Sequence, residues 1–328
     1  MIDPTQAYKP DRAISSSETP TLSSRGFGSR IDQGFVWLAT AFGVSVLLLI
    51  GWMLVVIASD ANPALKAFGW GFITSQEWDI DAAVFGALPY VFGTLVSSAI
   101  AFFLATPIGV AVAIITSENF LPPTIRGPLA FTVELIAAIP SVIIGLWGIY
   151  VVIPLLRPGQ IWLHETLSWI PLFSTSPYGP SILIAGLILA MMIVPTVAAI
   201  SRDVLLAVPS PLRSASMALG ATRWETIFRV LLPAGSSGIM GAAMLALGRA
   251  LGETMAATMV IGNTPVITAS ILSPGYSIPA VLANEFPEAL DPIHIGALMY
   301  LALILFGLTL LVNIGATFLV QLTSLERG

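Results

Sequence analysis

Residues 210–233 read Ser210-Pro-Leu-Arg-Ser-Ala-Ser-Met-Ala-Leu-Gly220-Ala-Thr-Arg-Trp-Glu-Thr-Ile-Phe-Arg-Val-Leu-Leu-Pro233. Ser210 followed by Pro211 is a helix start. Leu212, Ala215, Met217 and Leu219 are apolar along the short helix that follows, and Gly220 ends it. Thr222-Arg-Trp-Glu225 is a capping box that opens a second helix, which runs through Ile227, Phe228, Val230 and Leu231 to Pro233. This helix-turn-helix sits between two apolar runs, and the second run contains Gly248-Arg249-Ala-Leu-Gly-Glu253. A plain membrane loop needs no such construction. The helix-turn-helix reads either as a pair of interfacial helices lying on the lipid headgroups or, as expected from this construction, as a helix laid in a groove of a cytosolic partner.

Working outward, the chain has 328 residues, of which 56% are hydrophobic and only 9% charged. Soluble domains carry about 25% charged residues. A large soluble enzyme would lack the polar surface to cover such a core. The expected class is all-α: a polytopic membrane protein with six transmembrane helices and a cytosolic coupling helix-turn-helix. The spans are expected over 34–58, 87–116, 128–153, 181–200, 235–261 and 293–322. Each is long enough to cross a hydrocarbon core of about 30 Å. Continuous apolarity without alternation argues against a β-barrel. Cysteine is absent, so disulfide and thiolate chemistry are excluded, and the two histidines, His164 and His294, lie far apart. No metal-binding constellation is visible. Residues 1–30 are polar and rich in Ser, Thr and Pro, which predicts a disordered cytosolic tail without a cleaved signal peptide. Residues 31–328 form the expected six-span domain, with its coupling loop at 201–233.

Basic residues set the orientation. One side would hold Lys9, Arg12, Arg25, Arg30, Arg126, Arg202, Arg213, Arg223, Arg229 and Arg327, and the other only Lys66 and Arg157. Ten against two puts both termini in the cytosol. The opposite loops are long. Residues 68–78 are aromatic, and read either as an interfacial anchor or as an external contact element. Residues 154–180, with Trp162, Trp169 and several prolines, read as a lid or re-entrant segment.

Three charged residues are expected inside spans: Glu134, Arg249 and Glu253. Each costs about 2.5–3.5 kcal/mol or more at mid-bilayer, so each needs a partner or a wet cavity. Arg249 and Glu253 are four apart, on one face if the helix is continuous. Either they form a structural ion pair, with or without Glu134, or they line an anion path. A guanidinium is a fixed fork of donors suited to an oxyanion. Pro140, within the expected third span, kinks or interrupts that helix. Such a break either shapes packing only or exposes backbone beside a substrate.

The loop resembles the coupling loop of ABC-importer permeases, whose usual form is Glu-Ala-Ala, three residues, Gly, nine residues, an aliphatic residue, two residues and Pro. Here Ser214-Ala215-Ser216 replaces Glu-Ala-Ala, while Gly220, Ala221, Val230 and Pro233 are in place. The missing Glu removes a charge contact expected with the ATPase. Gly248-Arg249-Ala-Leu-Gly-Glu253-Thr-Met-Ala256, Ile139-Pro140-Ser-Val142 and Ser273-Pro-Gly-Tyr-Ser-Ile-Pro279 are similar to phosphate importer permeases of the PstC type. The resemblance covers roughly residues 30–328. It implies the type I importer permease fold in a bacterial plasma (inner) membrane, with inorganic phosphate passing inward by way of Arg249, Glu253 and Glu134. It further implies a second permease of PstA type, two cytosolic ATPases of PstB type that bind ATP and Mg2+, and an external PstS-type binding protein. The chain has no Gly-x-x-x-x-Gly-Lys-Ser/Thr loop, so it is not expected to hydrolyse ATP, and no nucleic-acid partner is expected. The rival readings are a permease for sulfate, molybdate or phosphonate, an ATP-independent anion transporter, and an intramembrane enzyme.

Overall fold

The computed structural model describes residues 28–118 and 120–325. The expected tail lies outside the described residues except for 28–30, which already belong to the first helix. Among the described residues the secondary structure is helical, with two isolated β-bridges. The chain divides into two units, Met1–Val55 and Val56–Gly328. The described part of the first unit is the opening stretch of helix α1 (Gly28–Phe68), and its side chains are exposed from residue 33 to residue 53.

In the second unit the remaining elements follow in order. They are α2 (Gly71–Thr74), α3 (Leu88–Ser117), α4 (Pro123–Ala137), α5 (Ser141–Trp147), α6 (Ile153–Leu167) and α7 (Ile182–Ala207). Then come α8 (Ser210–Ala218), α9 (Arg223–Thr226), α10 (Leu232–Leu251), α11 (Met255–Val260), α12 (Ile278–Glu285) and α13 (Pro292–Leu325). Six helical stretches are long and apolar enough to cross a membrane: Gln33–Phe68, Leu88–Ser117, Ser141–Leu167, Ile182–Ala207, Arg223–Leu251 and Pro292–Phe318.

The number of spans agrees with the sequence reading, but the first and fourth run on to Phe68 and Ala207 rather than 58 and 200, and two others shift along the chain. The third was expected over 128–153. Pro140 instead ends α4 and starts α5, so the crossing runs from Ser141 to Leu167, and half of the expected outer lid is helix. The fifth begins at Arg223, directly after the capping box, and stops at Leu251 rather than Ile261. Both shifts use one local device. Pro154 and Pro233 would each clash with the carbonyl four residues earlier, Tyr150 or Arg229. Each of those carbonyls lies in a π-helical turn, Gly148–Val152 or Ile227–Leu231, whose wider ladder lets the helix pass the proline unbroken.

Helices α3 and α7 form the centre. Gly186 lets them touch: a Cβ there would stand 2.5 Å from Ile100 Cγ2. Ala101, Ala105, Leu189, Ala190, Ile193 and Val197 fill the seam, and Ala246 and Ala250 of α10 close it. Small side chains let helices approach where water supplies no driving force.

At the end opposite α8, aromatic side chains make a second core. Phe72 stacks on Tyr300 at 4.6 Å between ring centres, and Trp78 meets Phe85 and Tyr90 edge-on. Trp78 Nε1 donates to Glu285 Oε2 at 2.9 Å, and His294 Nε2 lies 3.1 Å from the same oxygen. Three of the four aromatic residues of the 68–78 stretch, Phe68, Phe72 and Trp78, therefore pack into the core. Only Trp70, 83% exposed, suits the expected anchor or contact role. The 262–277 segment folds back inward. It accepts from the Ile182 and Leu183 amides at the start of α7, and the Ile278 amide that follows it donates to Thr94 Oγ1 at 2.8 Å. Burial pushes the Tyr276 phenol above its ordinary value, against the opposing hydrogen bond from Asn284.

Candidate functional site: coupling loop and the α10 break

The coupling loop forms as its residues dictate. Pro209 stands just ahead of α8, so Ser210 is the first helical residue and makes no side-chain cap, a small correction to its expected capping role. Gly220 has φ +88°, a conformation that side-chain-bearing residues rarely adopt, and the chain turns there. Thr222 accepts from the Glu225 amide while Glu225 accepts from the Thr222 amide, so the capping box is complete. The second helix runs without interruption into α10, which joins the loop mechanically to the span carrying Arg249.

The loop exposes a set of apolar side chains beside the charged Arg223, Glu225 and Arg229. Leu219 is 90% exposed, and Leu212, Met217, Trp224 and Phe228 are exposed as well. Trp224 lies against Phe120 and stacks on Phe228. Ser214 bonds back to carbonyls of its own helix, whereas Ser216 Oγ meets Thr226 Oγ1 at 3.0 Å and pins α8 to α9. Ala215 and Ala221 supply small volume on either side of the turn.

At the other end of the fifth span the helix breaks. Gly252 caps α10, and α11 begins at Met255. Arg249 lies in the last turn of α10 and Glu253 in the break. They do not share one continuous helix face, and no ion pair within 4.0 Å joins them. This corrects the expected helical pair. Glu253 Oε1 accepts instead from the Ala256 amide at 3.4 Å. Arg249 is exposed and donates from Nη1 to Thr196 Oγ1 at 3.4 Å. Beyond that contact its guanidinium has no hydrogen-bond or ion-pair partner among the described residues.

Glu134 is not brought to Arg249. It lies in the last turn of α4, ahead of the third span, with its Oε1 3.4 Å from Arg202 Nη1 on α7. Pro140, the residue before α5, separates the two helices. The structure thus distributes the expected site residues over four places: the loop, the α10 break, the α4–α7 contact and, for Pro140, the α4–α5 break.

Sequence reasoning missed Arg202, Arg213, Glu118 and Thr196 as site residues. The two arginines entered only as orientation charges. Arg213 forms an ion pair with Glu118, 95 residues away, at 3.1 Å, and pairing at that distance leaves no local signal.

The description "Binding-protein-dependent transport system inner membrane component" matches residues 105–325. The chain belongs to this permease family. It is a multi-pass inner-membrane component and not the ATP-hydrolysing part of such a system. A "Phosphate transport system permease protein PstC" of Mesorhizobium japonicum is 40% identical, with 90% of this chain and 92% of the relative aligned. A protein of the same description from Haemophilus influenzae is 37% identical over 91% and 96%. A "Probable phosphate transport system permease protein PstC" of Methanocaldococcus jannaschii is 34% identical over 90% and 95%. Among solved structures, a chain of a bacterial alginate ABC transporter in complex with alginate pentasaccharide-bound periplasmic protein superposes with TM-score 0.56. It is 16% identical and covers 86% of this permease and 94% of its own length. A chain of the inward-facing MetNI methionine ABC transporter gives TM-score 0.51 at 18% identity, covering 70% and 93%. These two likenesses establish the importer-permease fold, and say nothing of what this permease carries.

Proposed function

We propose that this permease is a membrane subunit of an ATP-driven importer that carries inorganic phosphate inward, of the PstC type. The observation that carries the substrate is the similarity to phosphate permeases over about nine tenths of the chain. The exposed Arg249 is chemically suited to that cargo. A planar fork of donors, held by one neutral hydroxyl and no carboxylate, offers its remaining N–H groups to an oxyanion. Glu253, in the neighbouring break, keeps the local field from becoming a deep anion well, since transport needs release as well as capture. Glu134 serves the path indirectly by holding Arg202.

The apolar face of α8 and the Trp224–Phe228 pair suit a groove on a cytosolic ATPase. With Ser214 in place of the usual Glu, docking rests on shape and apolar contact. Two such ATPases bind ATP and Mg2+. A second permease of PstA type completes the pathway, and a PstS-type binding protein delivers phosphate from outside. Both termini face the cytosol. ATP binding closes the ATPases, moves the coupling helices and turns the cavity outward as rigid-body alternating access.

Uptake of labelled phosphate, sulfate, molybdate and phosphonate in cells lacking their own systems tests the reading. Phosphate uptake that requires ATP is expected, and a tag on this chain should recover the ATPase and a second permease in mild detergent. Uptake of another oxyanion in preference to phosphate overturns the substrate. Recovery of no ATPase overturns the importer class.

A further inference from the structure

We propose that Arg213 is the positioning residue that locks the coupling helix α8 to the ends of α3 and α7, so that displacement of α8 reaches those two spans. The inference rests on reading 201–233 as the ATPase-docking loop, and it assigns the loop a transmitting residue on its inner side.

The covalent joints of α8 are weak. On one side it meets α7 through Val208 and Pro209, both with extended backbone, at ψ 127° and 131°. On the other side it meets α9 through the Gly220–Ala221 turn, where the Ser216–Thr226 hydroxyl contact ties it to α9 but not to α3 or α7. Two such joints would let the helix swivel under a push from outside. Among the carbonyls at the end of α7, Leu205 O receives a long bond of 3.4 Å from the Val208 cap amide.

Arg213 addresses both points with three of its five N–H donors. Nη2 donates to Leu205 O at 2.6 Å, Nη1 to Val208 O at 2.8 Å and Nε to Glu118 Oε1 at 3.1 Å. Glu118 directly follows the last residue of α3, and its own amide bonds Ile114 O. One planar group thus grips the end of α7, the end of α3 and, through its own backbone, α8. The side chains of Arg213 and Glu118 are only 21% and 20% exposed, so water competes weakly for these bonds. Beneath them Ile114, Leu205, Val208, Ile227 and Leu231 form one apolar cluster, which joins the loop to the fifth span as well. Because the Ile100 side chain of α3 packs directly on the α7 backbone at Gly186, whatever moves the ends of the two helices moves the central pair. Lysine cannot replace this arrangement, since its donors sit on one atom and cannot span three acceptors.

The test uses the complete importer in proteoliposomes, measuring ATP hydrolysis and phosphate uptake in the same sample. Arg213→Gln should still bind the ATPases, because Leu219, Trp224 and Phe228 are untouched, while phosphate moved per ATP falls at least about fivefold. Arg213→Lys should not rescue it. Because the chain has no cysteine, an Arg213→Cys/Glu118→Cys pair can be bridged by a short flexible thiol cross-linker, which should restore the ratio. If Arg213→Gln fails to assemble, Glu118→Ala, which leaves both carbonyl contacts in place, should still lower the ratio about threefold. An unchanged ratio in the variant that assembles, or a cross-link that restores nothing, overturns the proposal. Wild-type complex that couples ATP hydrolysis to the uptake of no oxyanion overturns the functional reading instead, and this role with it.

Discussion

The Arg202 guanidinium stands 3.4 Å from the Glu134 carboxylate and ties the last turn of α4 to the coupling-loop end of α7. Both side chains are partly open to solvent, at 27% and 56% exposure, so the pair contributes at most about 1 kcal/mol to stability. Its value is geometric, because it adds a directed polar tie to the packing of α4 on α7, in which Ala130 is buried. Glu134→Gln and Arg202→Gln should each leave the melting temperature of the purified complex nearly unchanged. If the pair acts as one tether, both should lower phosphate uptake by a similar factor, and the double variant should be no worse than either single one. Additive losses in uptake would show that the two residues act separately.

Gly220 turns the chain at φ +88°, and a Cβ built there meets nothing within 4 Å. Substitution therefore meets backbone strain of about 1–2 kcal/mol rather than a clash inside this chain. Asparagine, which tolerates the left-handed region, should preserve ATPase binding and transport. Tryptophan should reduce both, since its bulk projects toward whatever α8 docks against. Co-purification of the ATPase with each variant checks this; full association and transport in Gly220→Trp would remove the turn from the docking face.

What the sequence made legible followed local rules. The capping box at Thr222 and Glu225 and the turn at Gly220 formed as read, because each depends on residues within four positions. The six spans were legible because apolar length is a property of one segment. The span ends were not. The third span was expected to stop at 153 and the fifth to start at 235, but a π-helical turn ahead of Pro154 and another ahead of Pro233 carry each helix past its proline. Gly252 conversely stops α10 inside a run that reads as continuous, and so separates Arg249 from Glu253. The partners of Glu134 and Arg213 lie 68 and 95 residues away. Such pairing is decided by how α4, α3 and α8 meet α7, which no periodicity encodes.

Glu285 holds a half-buried indole and a buried imidazole at once, with Trp78 Nε1 at 2.9 Å and His294 Nε2 at 3.1 Å on one oxygen. Glu285→Ala leaves the indole N–H without an acceptor in an aromatic core, at a cost of about 1–3 kcal/mol. Glu285→Gln keeps an acceptor oxygen and should lose less. Thermal unfolding of the purified complex should rank wild type, then Gln, then Ala. Equal midpoints for the wild type and the Ala variant would mean that this cluster does not anchor α12 to α13.

Arg249 is the residue on which the substrate assignment depends most directly. Its single neutral contact, to Thr196, means that little structure is lost when it is changed. Arg249→Gln should leave the complex assembled and the spans intact while removing phosphate uptake, because an amide keeps some donors and loses the charge that attracts an oxyanion. Arg249→Lys should retain a fraction, since it restores the charge without the planar fork. Glu253→Gln tests the opposing term. If the carboxylate keeps the anion from resting too long, its neutralisation should tighten phosphate binding and slow turnover, so KM and the maximal uptake rate fall together. A rise in KM at constant maximal rate would instead place Glu253 in binding alone, as the residue that steadies the start of α11 through the Ala256 amide. Normal uptake in Arg249→Gln would remove Arg249 from the path altogether.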